Sequence, residues 1–158
     1  MIGIHGQLTK GGITMSNLFD EMWMLEFATL WNTDSEIEDT LSRKGFNANI
    51  GYGFTQTHHP TGILIIEQGK IKEAGLYTGQ PLDWDLRADF DDWANWLEEG
   101  LNLAQLGFVV AHKKLQFKIG NHKKMLRTPS LATVFLRSFK LMSQVASKFP
   151  TSIPNLLT

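Results

Sequence analysis

The chain has 158 residues, enough to build one hydrophobic core without disulfides or metal. Hydrophobic residues make up 42% and charged residues 20%, which excludes a disordered or fibrous chain. Cysteine is absent, so thiolate chemistry and a disulfide framework are closed to it, and no apolar run approaches the roughly 20 residues of a membrane helix. The N-terminus also lacks the basic, apolar and small-residue order of a secretory signal, and the expected location is the cytoplasm. The formal net charge of -1 conceals an asymmetry. All 16 acidic residues lie between Asp20 and Glu99, whereas nine Lys and Arg and no acid follow Gly100. Mutual neutralisation of the two halves across one core is the simpler account; a basic face for an anionic partner is the alternative.

Residues 1–15 carry Gly3, Gly6, Gly11 and Gly12 among scattered apolar residues and read as a disordered leader outside the fold, with Met15-Ser16 resembling a start. Ser16 or Asn17 is expected to cap a helix running to about Trp31, with Asp20 and Glu21 in its first turn. Its apolar residues, Phe19, Trp23, Phe27 and Trp31 among them, cover more than one stripe, so it should be buried on two sides or face a ligand or partner. Asp34 caps a second helix that ends near Gly45. Period-two alternation predicts strands over 46–54 and 82–87, and the turns at Pro60–Gly62 and Gln68-Gly69 delimit an apolar strand at 63–66 and a weaker one at 71–77, all read as a four-strand antiparallel meander. In the fourth, Trp84 and Leu86 point inward while Asp83, Asp85 and Arg87 face solvent. Asp89 caps a helix that closes at Gly100, a further helix covers about 101–111, a fifth strand covers 114–120, and Pro129 and Ser130 start a last helix. The domain spans 16–148, and 149–158 form an irregular tail broken by Pro150 and Pro154.

Three strings in this order carry a resemblance: "GILIIEQGK" at 62–70, "LDWDLRADFDDWANWLEEG" at 82–100 and "KKLQFKIGNHKKMLR" at 113–127. Together they resemble the sterol carrier protein type 2 family, in its hydrophobic strand and turn, its strand running into a helix that ends in Gly, and its Lys-Leu signature with Gly120 and Asn121. The resemblance covers about 18–145. It implies an α+β fold with a five-stranded antiparallel or mixed sheet covered by helices, an apolar cavity between sheet and helices, and the binding of a sterol, fatty acyl chain or other apolar lipid.

Other chemistry is weaker. Asp83, Asp85, Asp89, Asp91 and Asp92 are clustered as acids or calcium ligands would be, yet strand faces, a cap and the helix dipole account for each. His58, His59, His112 and His122 lack zinc-ligand spacing. Gly51 and Gly53 lie within a strand and more often allow close backbone approach than a nucleotide site. The basic run Lys113, Lys114, Lys118, Lys123, Lys124 and Arg127 suits a solvated edge or transient contact with an anionic membrane better than nucleic acid, because Phe117 points inward. The sequence therefore predicts a lipid binder with no catalytic residue, cofactor or metal and no nucleic-acid partner. Its lipid-contacting set is Trp84, Leu86, Phe90, Trp93, Leu97, Phe108, Leu115, Phe117, Phe135 and Phe139, with Arg127, Arg137 or Lys140 holding a head group. The alternative is an interaction module, a homodimer or docking domain, that uses Phe19, Trp23 and Trp31.

Overall fold

The computed structural model describes residues 17–149 together with two short paired strands, β1 (Thr9–Lys10) and β2 (Ile13–Thr14). The expected leader over 1–15, those two strands apart, and the expected tail beyond Phe149 lie outside the described residues.

Helix α1 (Glu21–Asn32) starts later than position 16 or 17. Phe19 adopts φ 67°, a left-handed conformation that no helix can continue, and its ring turns into the core. Asp20 then becomes the cap and accepts the Trp23 N–H at 2.9 Å. Trp23 and Trp31 are buried with Phe19, so the surface on which the interaction-module alternative rests is core, and Met22 and Leu25 are the large apolar residues that α1 leaves exposed. Helix α2 (Ser35–Lys44) follows the expectation, capped by Asp34 and closed by Gly45 at φ 61°.

The five-stranded sheet comprises β3 (Ala48–Phe54), β4 (Gly62–Glu67), β5 (Lys70–Leu76), β6 (Trp84–Ala88) and β7 (Gln116–Ile119), in the order β5-β4-β3-β6-β7. Only β3, β4 and β5 form a meander. β6 does not follow β5 but crosses over and pairs parallel with β3, Ile50 opposite Trp84, which makes the sheet mixed. At the outer edge the Asn32 side chain donates to the Ile71 carbonyl at 3.0 Å and accepts the Ile71 N–H at 2.8 Å, occupying the place a neighbouring strand would take. On the far side of β3, Asp83 accepts the Asn49 N–H at 2.8 Å, just ahead of the ladder that joins β6 to β3.

The two sheet faces are covered differently. Tyr52 and Phe54 of β3 and Leu86 of β6 face the helices, whereas Gly51 and Gly53 lie beneath the loop that joins β3 to β4. A Cβ at Gly53 would sit 2.7 Å from the Pro60 Cα, so glycine is required there for close backbone approach. That loop also overturns the expectation that Asp85 and Arg87 face solvent, because it buries both. Arg87 donates through Nε and Nη2 to the two Asp85 oxygens at 2.7 and 3.1 Å, and through Nη1 and Nη2 to the carbonyls of Phe54, Thr57 and His58. Every guanidinium N–H is thereby matched.

Helix α3 (Phe90–Glu99) has Asp89 at its cap position, but that carboxylate accepts the Thr55 hydroxyl instead of a helix N–H. Helix α4 (Leu103–Ala111) begins two residues later than expected because Asn102 and Gln105 form a reciprocal capping box. A short helix α5 (His122–Arg127), capped by Asn121, was not anticipated from the sequence, and α6 (Pro129–Lys148) starts on its proline.

The buried pair generates a prediction. Asp85→Ala would strand the Arg87 charge inside the protein and lower stability by about 3–5 kcal/mol in urea unfolding. Asp83→Ala, at an exposed position, should cost only about 1 kcal/mol.

Candidate functional site

Between the sheet and the helices the interior is closed by aromatic rings. Phe19 lies 5.0 Å from Trp93 and 5.6 Å from Tyr52, Trp93 stacks on Phe139 at 5.9 Å, and Trp93 Nε1 donates to the Gly53 carbonyl at 2.8 Å. The room expected there for a lipid narrows to a cleft of about 20 Å³, bounded by residues that include Trp31, Tyr52, Trp84, Val134 and Phe135. That is space for a single water. Burial pushes the Tyr52 hydroxyl well above its ordinary pKa, so it stays protonated, and it has no hydrogen-bond partner among the described residues.

Larger spaces lie on the outside of the helical layer. A groove of about 660 Å³ runs between α2, α6 and the α3–α4 link. Ile37, Leu101, Val134, Leu136 and Phe139 supply its apolar lining, and Glu36, Asp39, Arg43, Arg137 and Lys140 its charged rim. This volume falls in the usual range for small-molecule sites. Val134 lines both the groove and the inner cleft. The local sequence makes this surface: the apolar side of α2, Ile37 and Leu41, turns toward the core, and α6 presents Thr133, Leu136 and Lys140 one turn apart along the groove.

The rim charges differ in freedom. Arg137 is held by Asp34 at 2.7 Å and by Glu36 at 3.3 Å, whereas Arg43 and Lys140 have no ion-pair partner among the described residues. Burial alone would raise the Asp34 carboxyl, but the Arg137 hydrogen bond, the Ile37 N–H and the Arg137 charge together outweigh it and hold the carboxyl below the usual value. The same pairing raises Arg137.

Two further grooves flank α4. One, of about 470 Å³, lies between α3 and α4 and is walled by Trp96 and Phe108; it shares Gly100 and Leu101 with the α2–α6 groove. The other, of about 650 Å³, lies between α4, β7 and α5 over Val110, Leu115, Phe117 and Leu126.

The sequence-predicted contact set is thus distributed. Phe139 reaches the α2–α6 groove, Trp84 and Phe135 the inner cleft, Leu115 and Phe117 the α4–β7–α5 groove, and Phe108 the α3–α4 groove. Leu86, Phe90, Trp93 and Leu97 are core. Of the three proposed head-group residues, Arg137 and Lys140 line the large groove and Arg127 does not. Ile37, Arg43, Leu101 and Val134 were not anticipated; the amphipathic pattern of α2 was the available signal, but nothing in it indicates that α6 lies beside it. The aspartate cluster is dispersed, with Asp83, Asp85 and Asp89 each engaged separately, and no group of three or more potential metal ligands occurs among the described residues. Within those residues no helix is long and apolar enough to cross a membrane.

No protein-family model matches the chain, and no curated protein matches it in sequence. Solved structures do. A crystal structure of sterol carrier protein 2 aligns with a TM-score of 0.65 at 18% identity, covering 82% of this chain and 99% of that one. The chain has a sterol carrier protein 2 fold. The solution structure of a conserved hypothetical protein from Thermus thermophilus, described as possibly a sterol carrier protein, matches the same fold at TM-score 0.61 and 19% identity, over 82% of this chain and 90% of the other. The ubiquinone synthesis protein UbiJ-SCP2 aligns at TM-score 0.50 and 10% identity, over 76% and 88% respectively. What the SCP2-like frame brings together here, α2 beside α6 across the end of α3, creates the groove described above.

The lowered Asp34 pKa has a measurable consequence. Its ionised form stabilises the fold above the ordinary carboxylate pKa, and that contribution is lost as pH falls through the lowered value. In Arg137→Gln the Asp34 carboxyl should titrate at higher pH, followed by carbon-detected NMR, and acid unfolding should begin at correspondingly higher pH.

Proposed function

We propose that the protein binds a single-chain apolar lipid with an anionic head, a fatty acid or similar acyl compound, in the α2–α6 groove and carries it chemically unchanged. The supporting observation is the groove itself: an apolar floor of Ile37, Val134, Leu136 and Phe139 beside two cations, Arg43 and Lys140, without ion-pair partners among the described residues. Burial of roughly 0.8 kcal/mol per methylene would supply the affinity, and the cations would orient the carboxylate at the rim. The fold shared with sterol carrier protein 2 agrees with this reading, since that protein is described as a sterol carrier. A sterol or other neutral lipid would use the same floor without engaging the cations. The reading requires no catalytic group.

Native mass spectrometry of freshly purified protein should show a co-purified lipid, and a fluorescent fatty acid should be taken up. Thr133→Trp, which places a ring over the groove floor from an exposed position, should weaken uptake by about tenfold through loss of buried methylenes. Reversing the rim in the double variant Arg43→Glu, Lys140→Glu should weaken binding of the acid but leave that of the matching alcohol unchanged. If no lipid co-purifies and the native protein takes up no probe, the proposal is wrong.

A further inference from the structure

Helix α4 is apolar on almost every side, a pattern suited to a buried helix, yet it lies on the surface. Leu106, Val109 and Val110 face inward, and the opposite arc carries Leu103, Ala104, Gly107, Phe108 and Ala111. Leu103 is 55% exposed and Phe108 53% exposed, and a Cβ at Gly107 would meet nothing within 4 Å. The His112 imidazole stacks on the Phe108 ring at 4.0 Å, while Leu103, Ala104 and Ala111 of this arc are open to solvent. Cations gather next to it: Lys113 and Lys114 follow α4, Lys118 projects from β7, and Lys123 and Lys124 from α5, none in an ion pair among the described residues. No acidic residue occurs from Gly100 to the chain end. The α4–β7–α5 groove accordingly has Lys113, Lys118 and Lys123 around an apolar floor, while Glu99 lines the α3–α4 groove together with Phe108.

We propose that the exposed arc of α4, together with the adjoining lysines of β7 and α5, docks on an anionic lipid bilayer, with Leu103 and Phe108 entering the interface and the lysines resting on the head groups. An apolar helix face bordered by lysines matches the two contributions that hold a protein at such a surface. A second copy fits less well, since a two-fold pairing of this face would set the same lysines against one another. Docking here would place the α3–α4 groove, which shares Gly100 and Leu101 with the α2–α6 groove, beside the bilayer.

The test is sedimentation of the full chain with phosphatidylcholine vesicles containing phosphatidylglycerol, against vesicles of phosphatidylcholine alone. Binding should require phosphatidylglycerol and decline with added salt. Each lysine removed, in Lys113→Gln, Lys114→Gln and Lys118→Gln, should weaken binding about fivefold, and Phe108→Glu should weaken it by at least about tenfold. All four positions except Lys118, which lies on a short edge strand, are outside any strand, and all are exposed, so thermal melting of each variant should match the parent and exclude misfolding as the cause. Equal sedimentation with both vesicle types, none with either, or binding unaffected by Phe108→Glu would overturn the proposal. So would a dimer in analytical ultracentrifugation, without vesicles, that Phe108→Glu converts to monomer, since the face would then belong to a second copy. No soluble ligand is involved, so this result and fatty-acid uptake can fail independently.

Discussion

The structure depends on how its aromatic rings fill the space between sheet and helices. Trp93 is the centre of that packing: it meets Phe19 edge-on, stacks against Phe139, touches Trp96 and ties its indole N–H to the Gly53 carbonyl of the central strand. One side chain thereby joins β3, α3 and α6 to the segment that leads into α1. Large rings bury much area and tolerate few voids, so a core built from them becomes dense. The apolar surface that remains for other molecules is displaced to the outside of the helical layer, where α2, α4 and α6 leave grooves between them.

The opposite face of the sheet is governed by charge. The loop after β3 folds back over Gly51 and Gly53, and the Arg87 guanidinium holds that loop by its carbonyl oxygens while Asp85 balances the charge. A buried ion pair of this kind gives little net stability compared with an apolar replacement. Its effect is positional: it fixes the loop over β3, and with it the glycines that only a close-lying chain requires.

Some features were legible along the chain because they follow from local rules. Asp34 and Gly45 delimit α2 through a cap and a left-handed terminus, and Pro129 opens α6 at the position where its missing N–H does not matter. Strands over 46–54, 82–87 and 114–120 were visible as period-two alternation, and the apolar run at 63–66 by the turns on either side of it. By contrast, the start of α1 was displaced by the left-handed Phe19, whose conformation is imposed by its place in the core. Asp85 and Arg87 alternate with apolar neighbours as solvent-facing residues do, and period alone cannot tell a polar face open to water from one covered by a loop. Strand order was likewise not local: β6 pairs with β3 through residues 34 positions apart, Ile50 with Trp84 through Phe54 with Ala88.

The grooves follow the same division. The order of residues determined that nine Lys and Arg and no acid follow Gly100, which can be read by position alone. The amphipathic periods of α2 and α6 and the apolar run of α4 were also present in the sequence, because a helix face is defined by spacing alone. Only the tertiary structure decided that α2 lies beside α6, that rings such as Trp93 and Phe139 close the interior, and that Phe108 stays outside. Those outcomes depend on which faces meet, and that is settled by packing between residues far apart in the chain, which no local pattern encodes.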